Sequence, residues 1–164
     1  MIKAIVCVDR DWCIGKDNDL LFRLPNDLRS FKVTTTGNVV VCGRKTLESF
    51  PGNKPLPNRS TICLCSKENS RDDCFCIHDL NELKKLLKEL SKTQDIFIIG
   101  GGHLYRELLC CCDEVVVTKV AANGHGTVFF PNLDEHADFV LEYKSEDIPD
   151  NGYITNICTY RRLQ

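Results

Sequence analysis

The chain reads as an α/β fold built on a largely parallel sheet, and three observations point there. Short runs of valine and isoleucine do not alternate with polar residues, the pattern of strands covered on both faces. Amphipathic helical stretches lie between those runs. The end of the chain carries a hairpin signal, which adds an antiparallel strand. At 164 residues the chain is long enough for one domain, residues 1–164, with a substantial core.

The apolar runs are AIVCV (4–8), NVVVCG (38–43), DIFIIGG (95–101) and DEVVVTKV (113–120). Between them, PNDLRSFKVTT, RKTLESF, DLNELKKLLKELSK and GGHLYRELLCC read as helices, and LLCCCDE closes the last one. In the third, Leu80, Leu83, Leu86, Leu87 and Leu90 make a stripe opposite lysines and glutamates. FVLEYKSEDIPDNGYITNICTYRR has two β-like runs around Pro149-Asp150-Asn151-Gly152, a hairpin turn. Residues 9–24 and 50–60 show no regular pattern, and loops of that size in a small domain tend to be functional.

Hydrophobic content of 43% and charged content of 27% are ordinary for a globular protein. A net charge of -2 with scattered basic residues argues against a nucleic-acid partner. No apolar run is long enough to span a bilayer, so no membrane partner is expected. The N-terminus lacks a small-residue cleavage site and reads as a strand, which makes a cytoplasmic location the expectation. Eleven cysteines include no C-x-x-C pair. Cys63/Cys65 and Cys74/Cys76 each fall on one strand face, and a zinc site from these four is disfavoured by the spacing. Cys7, Cys42, Cys63 and Cys158 lie among β-branched neighbours as small hydrophobes. Reduced, structural cysteines and no metal are expected.

LPNDLRSFK, residues 24–32, poses a question. Leu24, Leu28 and Phe31 mark one helical face, and Asp27 lies on it. One reading is structural: Pro25 suits a first helical position, and Asn26 or Asp27 caps or offsets the macrodipole. The other is a desolvated carboxylate awaiting a partner outside the chain. The surroundings decide between them.

IIGGGHLYREL runs from a buried strand through three glycines into a helix, which suits a phosphate. Its plain alternative is a tight turn with close helix packing. It is not G-x-G-x-x-G, since Tyr105 occupies the last glycine position. VVCGRKTLES is a second such junction, with Arg44, Lys45 and Thr46 at the helix start. Together the two junctions suit a ligand with two phosphate groups, and the arginine favours NADP over NAD. Arg59, after the proline-rich GNKPLPNRS loop, is either a carboxylate clamp or an exposed loop arginine. The four histidines share no metal or nucleophile spacing. Trp12 is a loop anchor or a ligand contact.

IGKDNDLLFRLPNDLRSFK, VVVCGRKTLESFPGNKPLPNR, IFIIGGGHLYRELL, VVVTKV and FFP stand in one order over essentially the whole chain. In that set the chain resembles the dihydrofolate reductase family. The resemblance implies a three-layer fold: a mostly parallel eight-stranded sheet with an antiparallel C-terminal strand, flanked by about four helices. It implies NADPH-dependent reduction of 7,8-dihydrofolate to tetrahydrofolate by a monomer. Asp27 would hold the 2-amino group and ring nitrogen of the pterin, with Thr118 orienting it. Ile5 and Ile99 would turn carbonyls toward the pterin amine. Leu28, Phe31, Phe50, Lys54 and Leu56 would line the substrate, and Arg59 would take its α-carboxylate. Leu20 and Phe22 would complete the catalytic surroundings.

Cys7, Ile14, Gly15 and Leu20 match nicotinamide neighbours. Gly100, Gly101, Gly102, His103, Leu104 and Tyr105 match the diphosphate loop, where a cis Gly101–Gly102 bond is implied. Gly43, Arg44, Lys45, Thr46, Cys65, Ser66 and His78 match the phosphate and adenosine side. Three positions depart from the family pattern: Phe22 replaces a usual tryptophan, Leu21 a usual proline, and Thr127 an aspartate that pins the 9–24 loop. Two rivals keep the architecture: a pyrimidine reductase of the riboflavin pathway, and a non-catalytic binding protein.

Overall fold

Strands rich in β-branched residues line up side by side at the centre of the molecule, in a computed structural model that describes residues 1–16 and 19–164. Two residues of the 9–24 stretch, Asp17 and Asn18, lie outside the described residues. The elements in chain order are β1 (Ile2–Val8), β2 (Cys13–Gly15), α1 (Pro25–Thr35), β3 (Val39–Gly43) and α2 (Arg44–Glu48). They continue with β4 (Ser60–Leu64), β5 (Phe75–Ile77), α3 (Leu80–Leu90), β6 (Ile96–Gly100) and α4 (Gly102–Leu108). The remainder are β7 (Glu114–Val120), β8 (Val128–Phe129), β9 (Phe139–Lys144), β10 (Ile148–Asp150) and β11 (Tyr153–Arg162).

The main sheet runs β10-β11-β7-β1-β6-β3-β4-β5. Every pairing from β7 through β5 is parallel, and β11 closes the sheet antiparallel to β7. β9 pairs with β11 on the same side as β10, so the eight sheet positions expected are filled and one of them is interrupted. The hairpin turn falls at Asn151 and Gly152, both at positive φ, which asparagine and glycine tolerate best.

The two sheet faces are filled unequally. On one face Ala4, Val6, Ile96, Ile98 and Val117 pack with Leu83 and Leu87 of α3 and Leu104 and Leu108 of α4. The leucine stripe of α3 accounts for this, and Asp79 caps its start by accepting the Glu82 N–H at 2.9 Å. On the other face the cluster is small: Cys42, Leu47 and Cys63, with Phe50 and Ile99 partly buried against it. This corrects the expectation that every apolar run is covered on both faces. β3 is, but β1 alternates, with Lys3, Ile5 and Cys7 only half-buried. α1 buries Thr35 alone; along its apolar face Leu24 at the N-cap is buried, Phe31 is partly buried and Leu28 is half exposed.

The described residues of the 9–24 stretch carry more regular structure than the sequence suggested. β2 pairs with β8 in a separate two-stranded sheet. Trp12 is buried and serves as a loop anchor, stacked on Phe130 at 6.3 Å and edge-on to Tyr160 at 5.8 Å. Lys119 Nζ sits 4.9 Å from its ring centroid. The segments 9–13 and 121–124 are tied by buried Asp9. Its Oδ1 accepts the N–H groups of Asp11 and Cys13, and its Oδ2 accepts that of Gly124 at 2.9 Å. These strands and loops carry no periodic signal because each rests on a partner more than a hundred residues away. Among the described residues, no helix is long and apolar enough to cross a membrane.

Asp9→Ala leaves those three N–H groups without their acceptor and should cost about 2–4 kcal/mol, measured by urea unfolding. Asp11→Ala, at an exposed neighbour, should cost less than about 0.5 kcal/mol. Equal losses would mean that the Asp9 carboxylate is not the tie.

Candidate active site

Asp27 of α1 meets the carboxyl ends of β1 and β7, where Cys7 of β1 is half-buried. Asp27 is held there from the sheet side: Thr118 Oγ1 donates to Asp27 Oδ1 at 2.6 Å. Thr118 is buried, and register places it directly beside Cys7 of β1. Burial pushes the Asp27 carboxyl above its ordinary value; the Thr118 hydrogen bond opposes this and the Asp150 charge adds to it. Burial pushes the Cys7 thiol well up, helped by the charges of Asp27, Asp150 and Asp9. Cys7 is therefore an apolar wall and not a nucleophile.

The capping reading of Asp27 does not hold. Leu24 is the N-cap residue and no side chain of the helix caps its start. The acceptor comes from across the chain: Asp150 Oδ1 takes the Asn26 N–H at 3.2 Å and Oδ2 takes the Asp27 N–H at 2.9 Å. Asp150 was not among the residues the sequence pointed to. Its signal was negative: a helix opening Leu-Pro, with no serine, threonine or aspartate at the cap position, needs an outside acceptor.

Of the residues matched to the substrate side, Leu28 is half exposed, and Phe31, Phe50, Leu56, Ile5 and Ile99 are partly buried. The Ile5 carbonyl already accepts the Tyr105 hydroxyl at 2.7 Å, which leaves it one lone pair. Arg59 is fixed by donating from Nε to the Pro57 carbonyl and from Nη1 to Thr35 Oγ1, with its guanidinium 6.0 Å from the Phe31 ring centroid. Burial draws it below its ordinary pKa, but a guanidinium stays charged. Its Nη2 edge has no partner among the described residues. Lys54 is exposed.

The two glycine junctions prove to be neighbours. β3 and β6 are paired, with Cys42 beside Gly100. Thr46 Oγ1 would lie 3.4 Å from a Cβ on Gly101 and 3.7 Å from one on Gly100. Gly100 has φ +125°, a conformation that favours glycine. The cis bond is Gly100–Gly101, one residue earlier than the resemblance implied. Gly102 is explained by packing, since a Cβ there would come within 2.5 Å of Val128 Cγ1. Leu104 and Tyr105 are buried in the core and His103 is exposed.

Arg44 is paired with Glu48 at 2.6 Å, and both are more than a third exposed. Such a pair is worth less than about 1 kcal/mol, so a phosphate can take the guanidinium at little cost. Lys45 and Ser66 are exposed, Gly43 and Cys65 partly so. His78 is fixed between the Cys65 carbonyl at 2.8 Å and Ser70 Oγ at 3.2 Å. Among the described residues no group of three or more His, Cys, Asp or Glu is placed to hold a metal ion.

The 9–24 loop carries Ile14, Gly15, Leu20 and Phe22. Leu20 is 64% exposed. Phe22 packs edge-on against Tyr153, centroids 4.9 Å apart, a partner also missed from sequence. Thr127 ties this loop through its backbone, its N–H donating to the Gly15 carbonyl at 3.0 Å. The missing aspartate side chain therefore leaves a backbone link in place.

Comparison with known proteins agrees with this arrangement. The family profile described as dihydrofolate reductase matches residues 1–162. A dihydrofolate reductase of Bacillus subtilis is 40% identical over 136 residues, 82% of this chain and 78% of that one. Dihydrofolate reductase type 3 of Salmonella typhimurium is 35% identical over 99% of this chain and 98% of its own. Among solved structures, dihydrofolate reductase from Enterococcus faecalis complexed with NADP(H) and RAB-propyl superposes with a TM-score of 0.86 at 32% identity. That match covers 100% of this chain and 97% of the other. Fold and site define a nicotinamide-dependent reductase architecture. The chain belongs to the dihydrofolate reductase family.

Because the folded pKa of Asp27 is raised, its contribution to stability is complete below the unfolded pKa and is lost as pH rises through the folded one. Asp27→Asn should therefore melt higher than the parent at neutral and alkaline pH, with the gain vanishing in acid. Thr118→Val removes a donor that favours the ionised form and should raise the Asp27 pKa further, read by carboxyl-carbon NMR. A titration that stays put would show that the hydrogen bond does not act on Asp27.

Proposed function

We propose that the protein, acting as one domain over residues 1–164, reduces 7,8-dihydrofolate to tetrahydrofolate with NADPH. The observation that carries this reading is the Asp27–Thr118 pair at the sheet end, on a helix that leaves Leu28 half exposed and Phe31 only partly buried. A flat heterocycle with adjacent N–H donors matches an acceptor-only carboxylate in such a place.

The chain's residues divide the work. Asp27 accepts from the 2-amino group and ring N–H of the pterin, and Thr118 keeps its second oxygen aimed. Leu28, Phe31, Phe50 and Leu56 exclude water from the ring, which strengthens the carboxylate's hold. Arg59 offers its Nη2 edge to the substrate's α-carboxylate. The Gly100–Gly101 backbone and Thr46 lie side by side, and backbone amides with a hydroxyl suit a diphosphate. Arg44 and Lys45 fit the 2′-phosphate. NADPH, when bound, supplies the hydride that C6 of the pterin receives. Phe22 has no donor to hold a water, so the proton for N5 comes from solvent without its help. The chemical contribution of the protein is positioning and a preorganised field. A cytoplasmic monomer with no nucleic-acid or membrane partner completes the proposal.

Loss of NADPH absorbance on adding dihydrofolate tests the activity directly; no loss would favour a binding protein. Asp27→Asn should lower kcat/KM for dihydrofolate at least about 100-fold at neutral pH while leaving NADPH affinity nearly unchanged. Arg44→Ala should weaken NADPH by about 10-fold or more and NADH far less, because only NADPH carries the 2′-phosphate. Equal weakening would place that phosphate elsewhere.

A further inference from the structure

Asp150 stands apart from the residues assigned so far. It is a carboxylate 3% exposed, carried on the short strand β10, and it belongs to neither the substrate walls nor the phosphate side. Both oxygens are spent on the first amides of α1, those of Asn26 and Asp27. The next residue reinforces the join, since Asn151 Nδ2 donates to the Arg23 carbonyl at 2.8 Å. The hairpin end is thereby fastened to the start of the helix that carries the acid, and the fastening group is itself an acid. A serine or threonine would have capped the helix without adding charge.

Resting on the reading of Asp27 as the pterin-binding acid, we infer that Asp150 is a positioning residue for it. It fixes the helix turn on which Asp27 rides, and it sets a second negative charge beside the first. The groups facing Asp27 from other elements are few. Thr118 of β7 is a neutral donor, Cys7 of β1 is an uncharged thiol, and Asp150 comes from β10. On the helix and its lead-in, Arg29 is turned to Asn26 Oδ1 at 2.6 Å, and Arg23 is exposed. No cation is therefore placed to cancel the Asp150 charge among the described residues. A like charge disfavours ionisation of its neighbour, so Asp150 keeps Asp27 protonated to higher pH than burial alone would. The pH at which the reductase changes rate is set partly from across the chain.

The test compares Asp150→Asn, which keeps the shape and loses the charge, with Asp150→Glu, which keeps the charge on a longer arm. Two readouts are taken: the pH profile of kcat/KM for dihydrofolate, and the Asp27 carboxyl titration by carboxyl-carbon NMR in the ligand-free protein. Asp150→Asn should move the apparent pKa down by about half a unit or more in both. Asp150→Glu should hold it near the parent value, even though its cap is imperfect and its melting temperature lower. If both variants lose stability and neither moves the titration, Asp150 is only a helix cap and the inference fails. A parent without turnover would sink the functional reading alone, because the NMR titration needs no substrate. If Asp150→Asn does not fold, Asp150→Ser takes its place, its hydroxyl being a common cap. If neither neutral variant folds, hydrogen exchange in the parent decides. Slow exchange at the Asn26 and Asp27 amides supports the hold, and exchange as fast as open amides overturns it.

Discussion

A carboxylate bound to a sheet by one short hydrogen bond organises this molecule. Thr118 is buried in the strand that joins the parallel and antiparallel parts of the sheet, and its hydroxyl reaches Asp27 at 2.6 Å. For that contact to exist, α1 must start close to the ends of β1 and β7. It also leaves Leu28 half exposed and Phe31 only partly buried, although Leu24 before them is buried. The cost is visible in the packing: α1 buries only Thr35, and the cluster on that side of the sheet is small. The opposite face, with α3 and α4, supplies most of the core. Stability is concentrated on one side so that the other can stay open.

The same economy explains the phosphate side. Pairing of β3 with β6 sets two strand-to-helix junctions next to each other. Gly100 and Gly101 bring bare backbone up beside Thr46, while Gly102 is small because β8 presses on it. Within one glycine run, Gly100 takes a positive φ and Gly102 allows close packing of helix to strand. Arg44 stands in an exposed pair with Glu48, a weak interaction.

The cysteines follow the same division. Cys42 and Cys63 are register partners inside the sheet and fill it as small hydrophobes. Burial and neighbouring thiols push the Cys65 and Cys74 thiols up to about 12, far from a reactive thiolate.

What the sequence determined by itself was whatever repeats within a few residues. The leucine stripe of α3, the β-branched runs, the Asn151-Gly152 turn and the Gly-to-helix junctions were legible because periodicity and backbone preference are local. Motif order was enough to single out Asp27, Thr118, Arg44 and Arg59 as candidates. The tertiary structure alone decided what surrounds them. Asp150 caps α1 from 123 residues away, and Asp9 ties two loops 115 residues apart. β2 is a strand only because β8 lies beside it. An orphan amide states in sequence that it needs an acceptor but not which one, since that choice is made by the packing of distant segments.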